Sequence, residues 1–245
     1  MLDKNYKEYK VWDLPVRLFH WINFLTVISL IFMGMMMLYK KELGITSLDA
    51  KIALKVIHVL IGYVFAANLF IRVIWGFVGN QYARWSSLMP GRGSLAEVRS
   101  HLVSVSQGKN RQYVGHNPLG KFAVLAIFLL LLVIGTTGMI RAGTDIYYPP
   151  FGSMVVEYIA EPGVSHDSIL PYNSTGTNTD KAKELKAFKK PFGMVHIYGA
   201  FTLMFLIVLH IFFVVRTEIK EGGSLITAMF SGKKILHQKP ADEDS

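Results

Sequence analysis

The sequence predicts an all-α integral membrane protein, a single membrane domain over residues 1–245 built as a four-helix bundle. Hydrophobic residues make up 51% of the chain and the mean hydropathy is +0.34, which is high for a soluble domain of this size. Four apolar stretches are each long enough, at about 20 residues or more, to cross the roughly 30 Å of a bilayer's hydrocarbon as a helix. They lie at residues 16–38, 52–78, 119–140 and 192–215.

The first stretch follows a lysine-bearing start, as the core of a signal peptide would. It is too long for a signal peptide and shows no small-residue cleavage site, so we expect a helix of the mature chain. The sequence contains no cysteine, which excludes disulfides, thiolate metal sites and iron–sulfur clusters as chemistry of this chain. Metal binding is therefore left to histidine. The net charge of +9 is typical of basic loops in a membrane protein, and we expect no nucleic-acid partner.

The distribution of Lys and Arg predicts the orientation in the bilayer. Both tails and the loop between the second and third stretches together carry more of these residues than the other two connections. By the positive-inside rule, both termini are cytoplasmic. The basic cluster at residues 181–190 lies close to the fourth stretch and favours the opposite orientation.

The longest connection is the extracytoplasmic loop at residues 141–191. Its Tyr-Tyr-Pro-Pro and Asn-Ser-Thr-Gly segments are typical of irregular turns, and residues 154–159 can form a short helix. Because loops of this length are usually functional, we expect it to contact a protein partner. The alternative is a variable loop without a function.

Four histidines fall inside the apolar stretches: His20, His58, His196 and His210. Ionisable side chains in hydrocarbon are costly and usually mark function, and neutral imidazole is a standard axial ligand of haem iron. His196 and His210 both lie in the fourth stretch, about four helical turns apart. On one helix this spacing corresponds to about 21 Å and a rotation of only about 40°, so the two side chains share a face at different membrane depths.

Depth along each stretch predicts how the four histidines pair. His20, near the cytoplasmic start of the first stretch, is level with His210, and His58, early in the second stretch, is level with His196. Each pair can supply two axial imidazoles to one b-type haem between helices. Filling both axial positions favours electron transfer over oxygen chemistry. The alternative is a transporter or channel in which the histidines have only a structural role.

Other residues fit the same geometry. Gly34 follows His20 at the spacing that separates His196 from His210, and it leaves a bare backbone at the depth of the outer haem, or simply packs closely. Arg72 follows His58 at the same spacing and is predicted to bind a carboxylate of the inner haem, or only to extend to the interface. His116 is expected in a turn that caps the third helix, the alternative being a wall of a quinone pocket. We expect the remaining three histidines to be solvated: His101, His166 and His237.

Three segments carry a family resemblance: VWDLPVRLFHW at residues 11–21, FIRVIWGFVG at 70–79 and GHNPLG at 115–120. The chain resembles the bacterial cytochrome b561 and Ni,Fe-hydrogenase cytochrome b subunit family over residues 11–140 and 192–216. The resemblance implies two b haems in the bacterial inner membrane, with the four histidines at the ligand positions. It also implies electron exchange between quinone and a periplasmic redox partner.

The leading hypothesis is an electron-transfer subunit that connects the quinone pool with a periplasmic hydrogenase, dehydrogenase or cytochrome c docked on the 141–191 loop. The alternative is a partner-independent superoxide:quinone oxidoreductase, in which the basic residues at 181–190 attract an anion. The sequence leaves open whether the chain forms a homo-oligomer in the bilayer.

Overall fold

The computed structural model describes residues 6–109, 111–221 and 224–242. Four of its helices are long and apolar enough to cross a membrane, which confirms the predicted fold class. The helices, in chain order, are α1 Leu14–Leu38, α2 Leu48–Val78, α3 Trp85–Leu88, α4 Ser94–Ser106, α5 Pro118–Ile146, α6 Gly152–Ile159, α7 Thr179–Glu221 and α8 Leu225–Ser231, and two strands, β1 Lys7–Lys10 and β2 Lys233–Leu236, lie near the termini.

The membrane helices extend beyond the apolar stretches that predict them. α5 continues to Ile146 and α7 begins at Thr179, so the connection between these two helices covers only residues 147–178. Hydropathy detects only the part of a helix that lies in hydrocarbon. The polar start of α7 escapes it, but this segment is rich in Lys, Ala, Glu and Leu, which are good helix formers. The short helix predicted at 154–159 is present as α6.

The chain packs as two compact units. The first takes Met1–Ile22, Asn68–Leu129 and Phe205–Ser245, and the second takes Asn23–Ala67 and Leu130–Met204. Each of the four long helices contributes one part to each unit. His20 and His210 belong to the first unit, and His58 and His196 to the second, so each predicted pair falls within one unit.

In the first unit, the two ends of the described chain form an antiparallel ribbon of β1 and β2. Val11, Val114 and Leu236 are each 1% exposed and form a small core beside it. The buried Lys234 ammonium donates to the carbonyl oxygens of Tyr113 and Gly115 at 3.2 and 2.8 Å. These contacts fix the segment before α5 against the ribbon.

Asp13 organises the start of α1 in the same unit. One oxygen of its carboxylate accepts the Val16 amide at 3.1 Å, which is the usual N-cap arrangement. The other oxygen accepts the indole N–H of Trp75 at 2.9 Å and the amide of Asn80 at 3.3 Å. The Asp of the VWDLPV segment therefore connects α1 with the end of α2.

In the second unit, the 147–178 connection folds around a core of its own. Val156, Ile159 and Ile169 are buried together, with Tyr147 and Leu185 packed against them. An isolated antiparallel bridge between Ala160 and Thr177 brings the two sides of the connection together. This region is therefore an ordered structure rather than an irregular chain.

Candidate functional site

In the second unit, the imidazoles of His58 and His196 lie next to each other. Their ring centroids are 6.2 Å apart and the ring planes meet at 73°. Two imidazole–metal bonds of about 2 Å each, together with the distance from each nitrogen to its ring centre, sum to roughly 6 Å. The pair is thus spaced for two axial ligands on one metal ion. α2 and α7 supply one histidine each.

Neighbouring polar atoms orient the His196 ring. Its Nδ1 lies 3.2 Å from the carbonyl oxygen of Ile134 and 3.2 Å from the Thr137 hydroxyl oxygen. A carbonyl only accepts, so Nδ1 carries the hydrogen and Nε2 keeps the lone pair that a metal needs. The Thr137 hydroxyl itself donates to the Val133 carbonyl at 2.8 Å. This arrangement is typical of a metal-ligating histidine.

His58 has no comparable support. Its Nδ1 is buried and finds no hydrogen-bond partner among the described residues. Buried polar atoms are nearly always hydrogen-bonded, and those that are not usually have a functional reason. In the part of the chain that the structure describes, no three His, Asp or Glu side chains come together as a metal-ion site. A pair of histidines is instead a usual protein ligand set for haem iron, because the porphyrin ring supplies the other four nitrogen ligands.

A cavity of about 410 Å³ surrounds the two histidines and is lined by the second-unit parts of all four long helices. This volume lies within the usual range of cofactor sites, roughly 300–1,000 Å³. Glycines form part of its wall. A Cβ added at Gly138 would lie 3.2 Å from His196 Cε1, and one at Gly34 would lie 3.8 Å from His58 Cε1. Gly34 is therefore beside the His58 pair, as its spacing predicts.

One wall of this cavity is charged. Asp145 accepts Lys55 Nζ at 3.0 Å, Arg141 Nη2 at 2.9 Å and Lys189 Nζ at 2.9 Å. Sequence reasoning missed this cluster, because Lys55 lies inside an apolar stretch and Arg141 was assigned to a loop. A signal was present: Lys55 lies one helical turn before His58 and so shares its face of α2.

In the first unit, the structure brings His20 of α1 and His210 of α7 within electrostatic reach of each other. The His20 ring meets Trp21 edge-on, with centroids 5.1 Å apart. Its Nδ1 is buried and has no hydrogen-bond partner in the described ranges. His20 therefore resembles His58: each imidazole lies in a membrane-spanning helix and has a buried Nδ1 without a hydrogen-bond partner among the described residues.

Arg72 is buried in the first unit, at 7% exposure, and does not extend to solvent as the interface alternative expects. Its Nη2 donates to the Ala83 carbonyl at 3.0 Å, and the guanidinium lies 4.9 Å from the Trp85 ring centre. Nη1 is buried and, among the described residues, has no partner. A buried guanidinium with a free donor can bind an anionic oxygen.

His116 packs against Trp12, with ring centroids 4.8 Å apart. Burial lowers its pKa to about 3, helped by the nearby charges of Lys234 and Lys121, so the ring is neutral at physiological pH. The predicted cap of the third membrane helix, α5, is present. It comes from Asn117, whose side-chain oxygen accepts the Gly120 amide at 2.6 Å. His116 itself makes no part of that cap.

One histidine assignment is wrong. His101, expected to be solvated, is only 5% exposed. His101 lies three residues after Val98 and four before Val105, so the three side chains share one face of α4. This face is the packed one. His166 is exposed in a short 3-10 helix, as expected. His237 is half-buried and its Nδ1 accepts from the Gln112 amide at 2.9 Å.

Long membrane helices that bring histidines together in pairs are typical of membrane haem proteins, and this chain has both features. The model of the prokaryotic cytochrome b561 family matches residues 11–232, and the chain belongs to that family. It is therefore a multi-pass bacterial membrane cytochrome of the b type, which binds haem b and takes part in electron transport.

Curated relatives cover nearly the whole chain. A protein of Rhizobium leguminosarum bv. viciae named probable Ni/Fe-hydrogenase B-type cytochrome subunit is 30% identical over 242 residues, covering 94% of this chain and 90% of the relative. A similarly named protein of Azotobacter vinelandii is 28% identical, with 95% and 90% covered. The probable Ni/Fe-hydrogenase 1 B-type cytochrome subunit of Escherichia coli K12 is 24% identical, with 93% and 91% covered.

Proposed function

We propose that this cytochrome holds two b haems, one between His58 and His196 and the other between His20 and His210. The observation that carries the proposal is the 6.2 Å separation of the His58 and His196 rings inside a cavity of cofactor size. The assignment of the His20 and His210 pair rests on the position of both residues in membrane-spanning helices, α1 and α7, and on their proximity within one unit.

Haem b supplies a one-electron carrier, and the residues of the chain decide how it is used. Two imidazoles on one iron leave no open position for oxygen, so the sites favour electron transfer. The Ile134 carbonyl fixes the tautomer of His196, and the apolar residues of the cavity lining would shield a bound iron from water. The buried and unpartnered Nη1 of Arg72 supports its assignment to a carboxylate of the haem held by His20 and His210.

The relatives are named as hydrogenase subunits, which supports a hydrogenase as the redox partner. We infer that electrons pass from a periplasmic hydrogenase to the haem at His58 and His196, then to the haem at His20 and His210, and finally to quinone. Both termini would then face the cytoplasm of a bacterial inner-membrane protein, in agreement with the basic tails.

The 147–178 connection is the proposed docking site for the hydrogenase. Met154, Leu170 and Tyr172 are between 53% and 64% exposed, although the connection has a buried core of its own. Exposed apolar residues on an ordered surface are typical of a protein interface. The docking site lies in the same unit as His58 and His196.

Haem content tests the ligand assignment. Purified wild type is expected to contain about two b haems per chain by pyridine haemochrome, because each histidine pair binds one. His58→Ala and His210→Ala should each lose one, with different changes in the reduced-minus-oxidised spectrum. His166→Ala, which alters an exposed histidine, should retain both. A wild type with one haem, or the same haem lost in both variants, would overturn the two-pair assignment.

Hydrogen-dependent haem reduction tests the partner. In native membranes, hydrogen gas is expected to reduce haem b, and Leu170→Glu should slow this reduction while haem content stays constant. Leu95→Glu is the matched control, since Leu95 is 77% exposed on α4 in the other unit. If Leu170→Glu reacts like wild type, the docking site is wrong. If purified cytochrome alone oxidises superoxide with quinone, the partner-independent alternative is correct.

A further inference from the structure

The charged wall of the His58 and His196 cavity contains more positive charge than its single carboxylate can neutralise. Asp145 accepts Lys55, Arg141 and Lys189 within 3.0 Å, so three cations share one anion. The Asp145 side chain is 11% exposed, and the three cations are between 26% and 31% exposed. The cluster therefore has an excess positive charge in a partly buried environment.

This excess lies on the cavity itself. The charged residues among those that line it are Lys40, Lys55, Arg141 and Asp145, three bases and one acid. Cations removed from water are stable only when an anion compensates them. Lys55 and Lys189 are sufficient to tie α2 and α7 to Asp145 of α5, so Arg141 and Lys40 are not needed for a purely structural role. The surplus cations indicate an anionic group inside the cavity.

We propose that Lys55 and Arg141 bind the two carboxylate side chains of the haem held by His58 and His196, and that Asp145 and Lys189 position them. The proposal rests on the assignment of a haem to this histidine pair. Lys55 shares a helix face with His58, one turn away, and Arg141 is one turn from Gly138, whose bare backbone faces His196. Guanidinium and ammonium groups are the usual partners of carboxylates at such sites.

Asp145 keeps the two binding cations in place. Its Oδ2 accepts both Lys55 and Arg141, while Oδ1 accepts Lys189, whose ammonium also donates to the Thr144 carbonyl at 3.2 Å. Each long side chain thus loses its freedom before a carboxylate ligand arrives. The remaining N–H groups of Lys55 and Arg141 stay available to the cavity.

The test compares two ligands of the full chain in detergent: haem b and its dimethyl ester, which lacks both carboxylate charges. His20→Ala serves as the background, so that only the His58 and His196 pair binds iron. The background is expected to prefer haem over the ester by about tenfold or more, because charge-assisted hydrogen bonds to carboxylates are strong. Lys55→Met and Arg141→Met should each lose most of this preference, and Lys55→Arg should retain it.

Lys183→Met is the matched control, because Lys183 is a highly exposed lysine of α7 that pairs with Asp180 and does not line the cavity. It should keep the full preference. Equal ratios in the background, Lys55→Met and Lys183→Met would overturn the proposal while leaving the haem assignment intact. If the background binds neither haem nor ester, the haem assignment fails and this proposal fails with it.

The reduction potential of the holoprotein gives a second readout, which tests whether the charged cluster lies beside the haem. Lys55→Met removes a positive charge, so it should shift the balance of the neighbouring haem towards the oxidised form, by about tenfold or 59 mV for one electron. Asp145→Asn removes a negative charge and should shift the balance the other way. Shifts of the same sign in both variants would overturn the proposal. The effect of lost packing on the potential does not depend on which charge is removed, whereas the effect of a nearby charge does.

Discussion

A methyl group added at Gly138 should disturb the haem site through His196. The new Cβ would lie 3.2 Å from His196 Cε1, closer than the roughly 3.5–4.0 Å at which carbon atoms pack without strain. The ring must therefore move by a few tenths of an ångström. Its Nδ1 is already 3.2 Å from the Ile134 carbonyl, at the long end of N–H···O hydrogen bonds, so there is little room for this movement.

The size of the effect follows from this hydrogen bond. Loss of a typical intramolecular hydrogen bond costs about 1 kcal/mol, which corresponds to roughly a fivefold change in an equilibrium constant. Gly138→Ala is therefore expected to weaken haem binding at the His58 and His196 pair about fivefold. Haem transfer from the purified variant to an excess of apomyoglobin, followed by absorbance, measures this change.

Gly34→Ala is the control on the other side of the cavity. Its Cβ would lie 3.8 Å from His58 Cε1, an ordinary contact, so haem binding should weaken less than in Gly138→Ala. Alanine also favours a helix over glycine by up to about 1 kcal/mol, which should leave the fold at least as stable. If Gly138→Ala and Gly34→Ala release haem at the same rate, the assignment of Gly138 as the neighbour that limits His196 is wrong.

Two further predictions concern the first unit. Asp13→Ala removes the cap of α1 and the acceptor of the Trp75 indole, and should lower the stability of the purified protein by about 2 kcal/mol; an unchanged unfolding temperature would contradict this. Burial, with a smaller contribution from Arg111, lowers the pKa of His101, so the unfolded chain binds its proton more readily and stability should fall as pH drops below about 6.5. His101→Phe should weaken this pH dependence in thermal unfolding, and an identical pH profile would refute it.

The sequence predicts the membrane helices well and offers a rule for which histidines lie near each other, because each depends on one dominant property. Hydrocarbon requires long apolar helices, and a helix with histidines about four turns apart presents them on one face. The proximity of His58 and His196 follows from depth alone and agrees with the 6.2 Å separation of their ring centroids. Where one physical constraint decides the outcome, local sequence is sufficient.

The Asp145 cluster and the β1–β2 ribbon could not be predicted in the same way. Lys55 and Lys189 are distant in the sequence and meet only through the tertiary packing of α2 and α7. The ribbon pairs two short lysine-rich segments from opposite ends of the chain, without the apolar alternation that indicates strands. Both features depend on long-range contacts, and the helical spacing of Lys55 and His58 indicates only one member of the Asp145 cluster.

The cost of burying His58 distinguishes a ligand from a structural residue. Without haem, its unpartnered Nδ1 should destabilise the fold by about 1–3 kcal/mol, because a buried polar atom has lost water and gained no hydrogen bond. His58→Leu removes this cost and should raise the unfolding temperature of the haem-free chain while abolishing haem binding at the pair. Circular dichroism of haem-free wild type and variant in detergent measures the difference. A lower unfolding temperature for the variant would show that the fold itself needs the imidazole, which would contradict the assignment of His58 as a residue kept for its metal.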